Sequence, residues 1–254
     1  MNELSGRTAV VTGATSGIGA AIARRAAAAG ADVVVSGRNA DRGHAVVTSI
    51  TDAGGSARFV VADVTRDADV AELARVAASI RPIDFWFSIA GVEGPIGPME
   101  TWSVDALREV IDANLLSVLS GLRHASSHMS RGGVIVNAAS FVGTVLPVPI
   151  AVPYAAAKAG VVAAGRSAAP LLAEQGIDVY TLCPWVVDTP MVDRLTGGGS
   201  DEKAGFAAGF APSGRLTPVE DVARVAVDLL TEQPRRASGE AVLVDAGPTV
   251  TVLT

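Results

Sequence analysis

Residues 8–28 read TAVVTGATSGIGAAIARRAAA, and this stretch decides the fold. The β-branched run at its start predicts a strand, and the alanine-rich run at its end predicts a helix. In the loop between them, Gly13 permits a sharp turn, Gly17 permits a close approach of the backbone to a ligand, and Gly19 lets the helix pack near the sheet. Because a helix N-terminus behind such a loop binds phosphate, the stretch predicts a pyrophosphate site formed by Gly13, Thr15, Ser16, Gly17, Ile18 and Gly19.

The rest of the chain repeats this alternation of strand and helix. Strands are predicted at 8–12, 32–36, 58–62, 83–88, 133–138, 178–182 and 241–245, and helices near 18–29, 40–52, 68–80, 103–121, 155–175 and 218–231. Nearly continuous apolar strands are typical of parallel sheets that are covered on both faces. We therefore predict an α/β fold of the Rossmann type, a doubly wound seven-stranded parallel sheet, in which residues 1–254 form a single dinucleotide-binding and catalytic domain. The glycine-rich segment at about 191–214 is predicted to be a substrate loop.

Composition excludes several classes of function. The 254 residues carry a net charge of -6, which argues against nucleic acid and anionic membranes as partners. No uncharged apolar run reaches the length that spans a bilayer. Cys183 is the single cysteine, so a reduced, cytoplasmic setting is expected. His124 and His128 are four apart but lack a third ligand, and no metal site is predicted.

The end of the second predicted strand bears on the choice of cofactor. A fold specific for NAD usually carries an acid here that accepts hydrogen bonds from the ribose 2′-hydroxyl, but this chain has Gly37 followed by Arg38. A guanidinium can pair with a 2′-phosphate through two hydrogen bonds. NADP(H) is therefore favoured, and NAD(H) stays possible. After the third strand, Asp63, which precedes Val64, can accept a hydrogen bond from the adenine amino group, although an aspartate at such a position is also a common N-cap.

Tyr154 and Lys158 are the chemical centre that the sequence predicts. Their i, i+4 spacing places the phenol and the ammonium on one helix face. A nearby ammonium and a positive nicotinamide ring favour the phenolate, so we expect the pKa of Tyr154 to be lowered and the phenol to act as acid and base. Ser140 can hold the substrate oxygen. Asn114 is an unusual residue inside a helix, which suggests a role within the protein, such as holding a water that links Lys158 to solvent.

Taken in order, these motifs resemble those of the short-chain dehydrogenase/reductase family, over essentially the whole chain. The resemblance implies that Asn114, Ser140, Tyr154 and Lys158 are the catalytic residues and that Tyr154 and Lys158 also contact the cofactor. It implies the strand order 3-2-1-4-5-6-7 and a homo-oligomer, a tetramer or a dimer. It also assigns further cofactor contacts to Ala90, Gly91, Pro184, Val187 and Thr189.

Three features depart from the family pattern. Ile89 stands where the family usually has an asparagine that ties neighbouring strands together, and Trp185 stands where it usually has glycine. Tyr154 follows Ser140 by 14 positions, one more than the family spacing. The site is therefore expected to differ in detail at these positions.

The predicted function is hydride transfer between a nicotinamide cofactor and a small-molecule ketone, aldehyde or secondary alcohol, with Tyr154 as acid and base. The alternative from another class is a catalytically inactive protein that senses the cofactor. Within the enzyme class, a 3-oxoacyl-thioester reductase, a sugar or polyol dehydrogenase and a steroid-type dehydrogenase stay open. The predicted substrate walls, at 92–98, 141–149, 185–187 and 191–214, are mostly apolar, and Glu93 is interpreted as a solvated loop acid.

Overall fold

The fold is seen in a computed structural model that describes residues 3–233, 235–246 and 250–253. Its strands form one sheet in the order β3-β2-β1-β4-β5-β6-β7-β8. They are β1 (Thr8–Val11), β2 (Asp32–Gly37), β3 (Ser56–Val61), β4 (Ile83–Ser88), β5 (Met129–Ala138), β6 (Asp178–Pro184), β7 (Ala241–Val244) and β8 (Val250–Leu253). The first seven pair in parallel in the predicted order.

The eighth strand corrects the predicted count of seven. β8 pairs antiparallel with β7, in register from Ala241 opposite Leu253 to Val244 opposite Val250. Three of its four residues are β-branched, and they pair with the outer edge of β7, which offers unpaired backbone groups. The predicted bounds of β3 and β5 were also wrong, since both strands begin earlier than expected.

Helices cover both faces of the sheet. They are α1 (Gly17–Ala28), α2 (Ala40–Asp52), α3 (Asp67–Ala78), α4 (Val104–Ile111), α5 (Ser117–Ser126), α6 (Val152–Ala173), α7 (Pro190–Thr196), α8 (Ser200–Phe210) and α9 (Val219–Thr231). Successive strand residues point to opposite faces: Phe85 and Phe87 pack with α1 and α9, whereas Trp86 packs with α3 and α5. No helix in the described part of the chain is both long and apolar enough to cross a membrane.

The segment 191–214 is mostly helical, which corrects the prediction of a loop. Pro190 opens α7, and Gly197, with a φ of 81°, ends it. Lys203 of α8 binds Asp188 and Asp193 at 2.5 and 2.8 Å, which ties the two short helices to the end of β6. Phe206 and Phe210 pack into a third apolar cluster beside the sheet. We call α7 and α8 together the lid.

The helix predicted at 103–121 is interrupted. Between α4 and α5, residues Asp112–Leu116 form a turn of π-helix, which contains one residue more than a regular turn and is found mostly at functional sites. Asn114 lies in its centre and is fully buried. The interruption therefore coincides with a predicted catalytic residue.

Candidate active site

The loop after β1 is shaped by glycines that cannot be replaced. Gly13 and Gly17 have φ values of 65° and 51°, which are strained for other residues. A Cβ on Gly13 would lie 2.7 Å from the Cα of Ala90, and one on Gly19 would overlap the Gly13 carbonyl oxygen. No side chain caps the N-terminus of α1, so its backbone N–H groups are available to an anion. The loop fits the pyrophosphate of a dinucleotide.

A cleft of about 790 Å³ runs from this loop to the predicted catalytic residues. We call it the dinucleotide cleft. Of the predicted cofactor contacts it is lined by Gly13, Thr15, Ser16, Gly17, Ile18, Gly19, Arg38, Asp63, Val64, Ala90, Gly91, Tyr154, Lys158, Pro184 and Thr189. Val187 is not among its lining residues; its carbonyl oxygen accepts a hydrogen bond from the Thr189 hydroxyl at 3.2 Å. Sequence reasoning missed Arg42, which lines the cleft beside Arg38.

At the end of the cleft next to β2, Arg38 is free to bind a ligand, whereas an acidic side chain at the preceding position would meet Thr15. Arg38 is exposed, and its guanidinium has no hydrogen-bond partner among the described residues. A Cβ on Gly37 would lie 2.7 Å from the Thr15 methyl group, so a carboxylate at position 37 has no room. Nearby, burial opposes ionisation of Asp63, but the hydrogen bonds from Thr65 and the charges of Arg38 and Arg66 outweigh it and lower the pKa of the carboxyl.

Asn114 holds the loop after β4 in place. Its Nδ2 donates to the carbonyl oxygens of Val92 and Val110, both at 2.9 Å, and its Oδ1 accepts from the Val92 N–H at 3.3 Å. A Cβ on Gly91 would lie 2.5 Å from this Oδ1 and 3.4 Å from the Lys158 Nζ. The π-helical turn therefore aims Asn114 at the backbone beside Lys158.

Tyr154, Lys158 and Ser140 meet where the cleft ends. Lys158 is 3% exposed, and its Nζ donates to the Ala138 carbonyl oxygen at 2.8 Å. The same nitrogen lies 5.5 Å from the centre of the Tyr154 ring. Tyr154 and Ser140 both line the cavity that adjoins the cleft. The four predicted catalytic residues are thus brought together.

The pKa values run against the expectation from sequence. Burial raises the pKa of Tyr154 to about 12, the hydrogen bond to Ser140 opposes the rise, and the charge of Glu93 adds to it. Burial also lowers the pKa of Lys158 to about 8. The predicted lowering of the Tyr154 pKa is therefore wrong for the protein without a cofactor, because the cost of burying a phenolate exceeds the stabilisation by neighbouring groups.

A second cavity, of about 200 Å³, opens from Tyr154 and Ser140 on the side away from Arg38. We call it the apolar pocket. Phe141 and Trp185 stack in its wall with ring centres 4.6 Å apart and planes at 19°, and Phe210 lies 6.4 Å from Phe141. The lid adds Met191, Val192, Leu195 and Phe206. Residues from each of the predicted substrate walls thus line the apolar pocket.

Glu93 is not the solvated acid that the sequence suggests. It lines both the dinucleotide cleft and the apolar pocket. Its two carboxylate oxygens accept hydrogen bonds from the Nε and the terminal nitrogen of Arg194 at 2.6 and 2.9 Å. Arg194 lies on α7, 101 positions later in the chain, so the pair joins the loop after β4 to the lid.

The structure accommodates the departures from the family pattern in different ways. The backbone N–H of Ile89 is held by the Thr12 hydroxyl at 3.1 Å, so the loop after β4 keeps an anchor to β1. Asn137 on β5, by contrast, is fully buried, and its two amide atoms have no hydrogen-bond partner in the described structure. The long interval before Tyr154 is absorbed by a turn in which Gly143 packs against the backbone of Ala155. Within the described ranges, no three His, Cys, Asp or Glu side chains gather as a metal site would require.

The chain matches known proteins over nearly its full length. A family model described as enoyl-(acyl carrier protein) reductase matches residues 13–249. The chain is similar to the cis-4-hydroxycyclohexanecarboxylate dehydrogenase of Sinomonas cyclohexanicum, with 40% identity over 96% of this chain and 96% of that protein. It is 35% identical to 3beta-hydroxysteroid dehydrogenase 1 of Eggerthella lenta, over 98% of this chain and 96% of the relative.

A solved structure matches as well. A short chain dehydrogenase from Burkholderia cenocepacia in complex with NADP superposes with a TM-score of 0.87 at 29% identity, covering 96% of this chain and 98% of the other.

Proposed function

Because this chain belongs to the short-chain dehydrogenase/reductase family, whose members are oxidoreductases that use NAD(P) and act on alcohols and ketones, we propose that it interconverts a ring-borne secondary alcohol and its ketone with NADP(H). Tyr154 exchanges the proton. One observation carries the proposal: Tyr154, Ser140 and Lys158 meet where a glycine-lined cleft joins an apolar pocket.

The chain's own residues divide the work of the proposed reaction. The bound nicotinamide supplies or accepts the hydride. Ser140 holds the substrate oxygen next to the Tyr154 hydroxyl, which gives a proton to a carbonyl or takes one from an alcohol. Lys158 offers its ammonium to the ribose hydroxyls at the end of the dinucleotide cleft. Asn114 fixes the backbone at Val92 and thereby the wall that faces Lys158.

The raised pKa of Tyr154 is compatible with this role. A phenol that keeps its proton is the form needed to reduce a ketone. For the reverse direction, positive charge on the bound nicotinamide favours the phenolate, as the charge of Lys158 does. The apolar walls at Phe141 and Trp185 keep water away from the reacting oxygen.

The preference for NADP(H) rests on two adjacent residues at the end of β2, Gly37 and Arg38. Arg38 has donors free for a 2′-phosphate, and Arg42 lies along the same stretch of the cleft. Position 37, where an acid would select NAD, is filled by the methyl group of Thr15. One similar structure contains NADP, which supports the same choice.

The proposed substrate is compact, cyclic and apolar. The apolar pocket, at about 200 Å³, is smaller than the roughly 300 to 1,000 Å³ of most ligand sites. The stacked rings of Phe141 and Trp185 offer a flat wall against which an alicyclic ring packs. The names of two relatives describe dehydrogenases of a hydroxycyclohexane carboxylate and of a 3β-hydroxysteroid, and both compounds are ring alcohols.

A cofactor-binding protein without chemistry is the second candidate. The departures from the family pattern at Ile89 and Trp185 favour it, and so does the buried amide of Asn137, which has no hydrogen-bond partner among the described residues. It predicts binding of NADPH without turnover of any ketone.

The decisive experiment replaces each of the two tyrosines in turn. Tyr154→Phe removes the proposed acid, whereas Tyr180→Phe removes a hydroxyl that donates to the Arg236 carbonyl oxygen, away from the site. With NADPH and a panel of cyclic ketones, we expect Tyr154→Phe to lose about 10²- to 10⁴-fold in kcat/KM while NADPH affinity measured by calorimetry is retained. Tyr180→Phe should keep its activity. Undiminished turnover in Tyr154→Phe refutes the role of the phenol, and no turnover by the wild type favours the second candidate.

A further inference from the structure

The ion pair between Glu93 and Arg194 occupies the edge of the proposed substrate site. Glu93 is part of the wall of the apolar pocket, and its side chain is 22% exposed. Arg194 lines the adjoining cleft, and its helical neighbours Met191 and Leu195 line the apolar pocket. The pair is therefore at the boundary of the two cavities, on the side covered by the lid.

Glu93 occupies the edge of the Arg194 guanidinium that is formed by Nε and one terminal nitrogen, and its negative charge offsets that of the arginine. Both oxygens of Glu93 are bonded, to two nitrogens of Arg194, in the two-point arrangement by which arginine binds carboxylates. The hydrogen bonds from Arg194 lower the pKa of Glu93 against the effect of burial, so the acid is ionised at neutral pH.

The charge of Glu93 is felt where a substrate would react. It acts to raise the pKa of Tyr154, which places the carboxylate within electrostatic reach of the phenol. All other pocket-lining side chains named above are apolar or hydroxyl-bearing. A second carboxylate that entered this space would meet a fixed negative charge, an arginine that is already paired, and walls that offer no solvation.

Resting on the proposed function, we propose that Glu93 is a specificity-determining residue that occupies Arg194 in place of a substrate carboxylate and so restricts the apolar pocket to uncharged ring alcohols and ketones. Glu93 acts as a built-in occupant of Arg194 at the edge of the pocket. Its removal converts Arg194 into a receptor for an acidic substrate.

The test uses two probes that differ only in charge: cis-4-hydroxycyclohexanecarboxylate and the corresponding carboxamide. Their kcat/KM values are measured with NADP⁺, and their Kd values are measured by calorimetry on the protein loaded with NADPH, a complex that cannot react. The ratio of carboxylate to carboxamide is compared between the wild type and variants, so that any general effect on Tyr154 cancels.

Glu93→Gln is expected to raise this ratio at least fivefold, because Arg194 then pairs with the substrate. Arg194→Gln is expected to lower it at least fivefold, because Glu93 is left unpaired, and it serves as the second variant if Glu93→Gln does not fold. Glu72→Gln is the matched control: Glu72 makes the same two-point pair with Arg75, at 2.7 and 2.6 Å, on the exposed face of α3. Its ratio should equal that of the wild type.

The outcomes for this proposal and for the proposed function are separable. If the wild type favours the carboxylate, or if both variants shift the ratio by less than fivefold, the role of Glu93 is refuted although the enzyme turns over. If the wild type oxidises neither alcohol, the proposed function fails, and the ratio of the Kd values still decides the role of Glu93.

Discussion

The ammonium of Lys158 is expected to oppose folding at neutral pH, although the proposed reaction uses it. Burial lowers its pKa from the ordinary value of 10.5 to about 8. A base whose pKa falls on folding holds its proton less tightly in the folded chain, so folding is disfavoured wherever the group is charged in both states. The difference between 10.5 and about 8 corresponds to about 3 kcal/mol, at 1.36 kcal/mol per pH unit.

Lys158→Met removes this charge and keeps most of the apolar volume. The change also breaks the hydrogen bond to the Ala138 carbonyl oxygen, and an unpaired buried carbonyl costs about 1 to 3 kcal/mol. At pH 7 we therefore expect the variant to be as stable as the wild type, or more stable by up to ~2 kcal/mol. Between pH 8 and 10.5 the wild type regains about 3 kcal/mol, because only its unfolded chain still takes up the proton.

Urea unfolding without cofactor, from pH 7 to 10, measures this changing difference in the free energy of unfolding. Ionisation of tyrosines and the cysteine is common to both proteins and cancels. The chain's other lysine, Lys203, provides the control, since Asp188 and Asp193 raise its pKa, and Lys203→Met should be destabilised to the same extent over this range. If the gap between the wild type and Lys158→Met does not change with pH, the reasoning is refuted.

Two further variants test the contact of Arg38 with the cofactor and the way in which Asn114 holds the loop after β4. Arg38→Leu should lose roughly tenfold to 150-fold in kcat/KM with NADPH, the equivalent of about 1.5 to 3 kcal/mol for hydrogen bonds to a charged group, and should lose little with NADH. Arg108→Leu, which replaces an exposed arginine on α4, is the control. Equal losses with both cofactors would contradict the role of Arg38. Gly91→Ala places a Cβ 2.5 Å from the Asn114 Oδ1, so we expect a loss of about 1 to 3 kcal/mol in stability together with a loss of turnover. Gly205→Ala, whose Cβ meets nothing within 4 Å, should unfold at the same temperature as the wild type or higher, and full activity in Gly91→Ala would argue against this role of Asn114.

The sheet and the glycine loop could be predicted because their signals are local. Apolar β-branched runs such as that of β2 are typical of strands buried on both faces, and the glycines at 13 and 17 mark positions that need positive φ. The spacing of Tyr154 and Lys158 likewise follows from helix geometry alone. These features depend on near neighbours in the sequence.

What the sequence did not reveal depends on distant contacts. The lid is helical because Lys203 binds Asp188 and Asp193 and the two phenylalanines of α8 pack near Phe141, whereas its glycines and prolines suggested a loop. The pair of Glu93 and Arg194 joins residues 101 positions apart, for which no periodic pattern exists. The direction of the Tyr154 pKa is set by burial, which a sequence does not display.

The π-helical turn at Asp112–Leu116 has a consequence for how this region can vary. Each residue of a helix is rotated by about 100° from the one before it, so the loss of one codon here would regularise the helix and swing the carboxamide of Asn114 away from Val92. Exchanges at the other four positions of this segment keep the number of residues before and after Asn114 unchanged, whereas a deletion or an insertion does not. The length of the segment, as well as its residue types, therefore determines the shape of the wall beside Lys158.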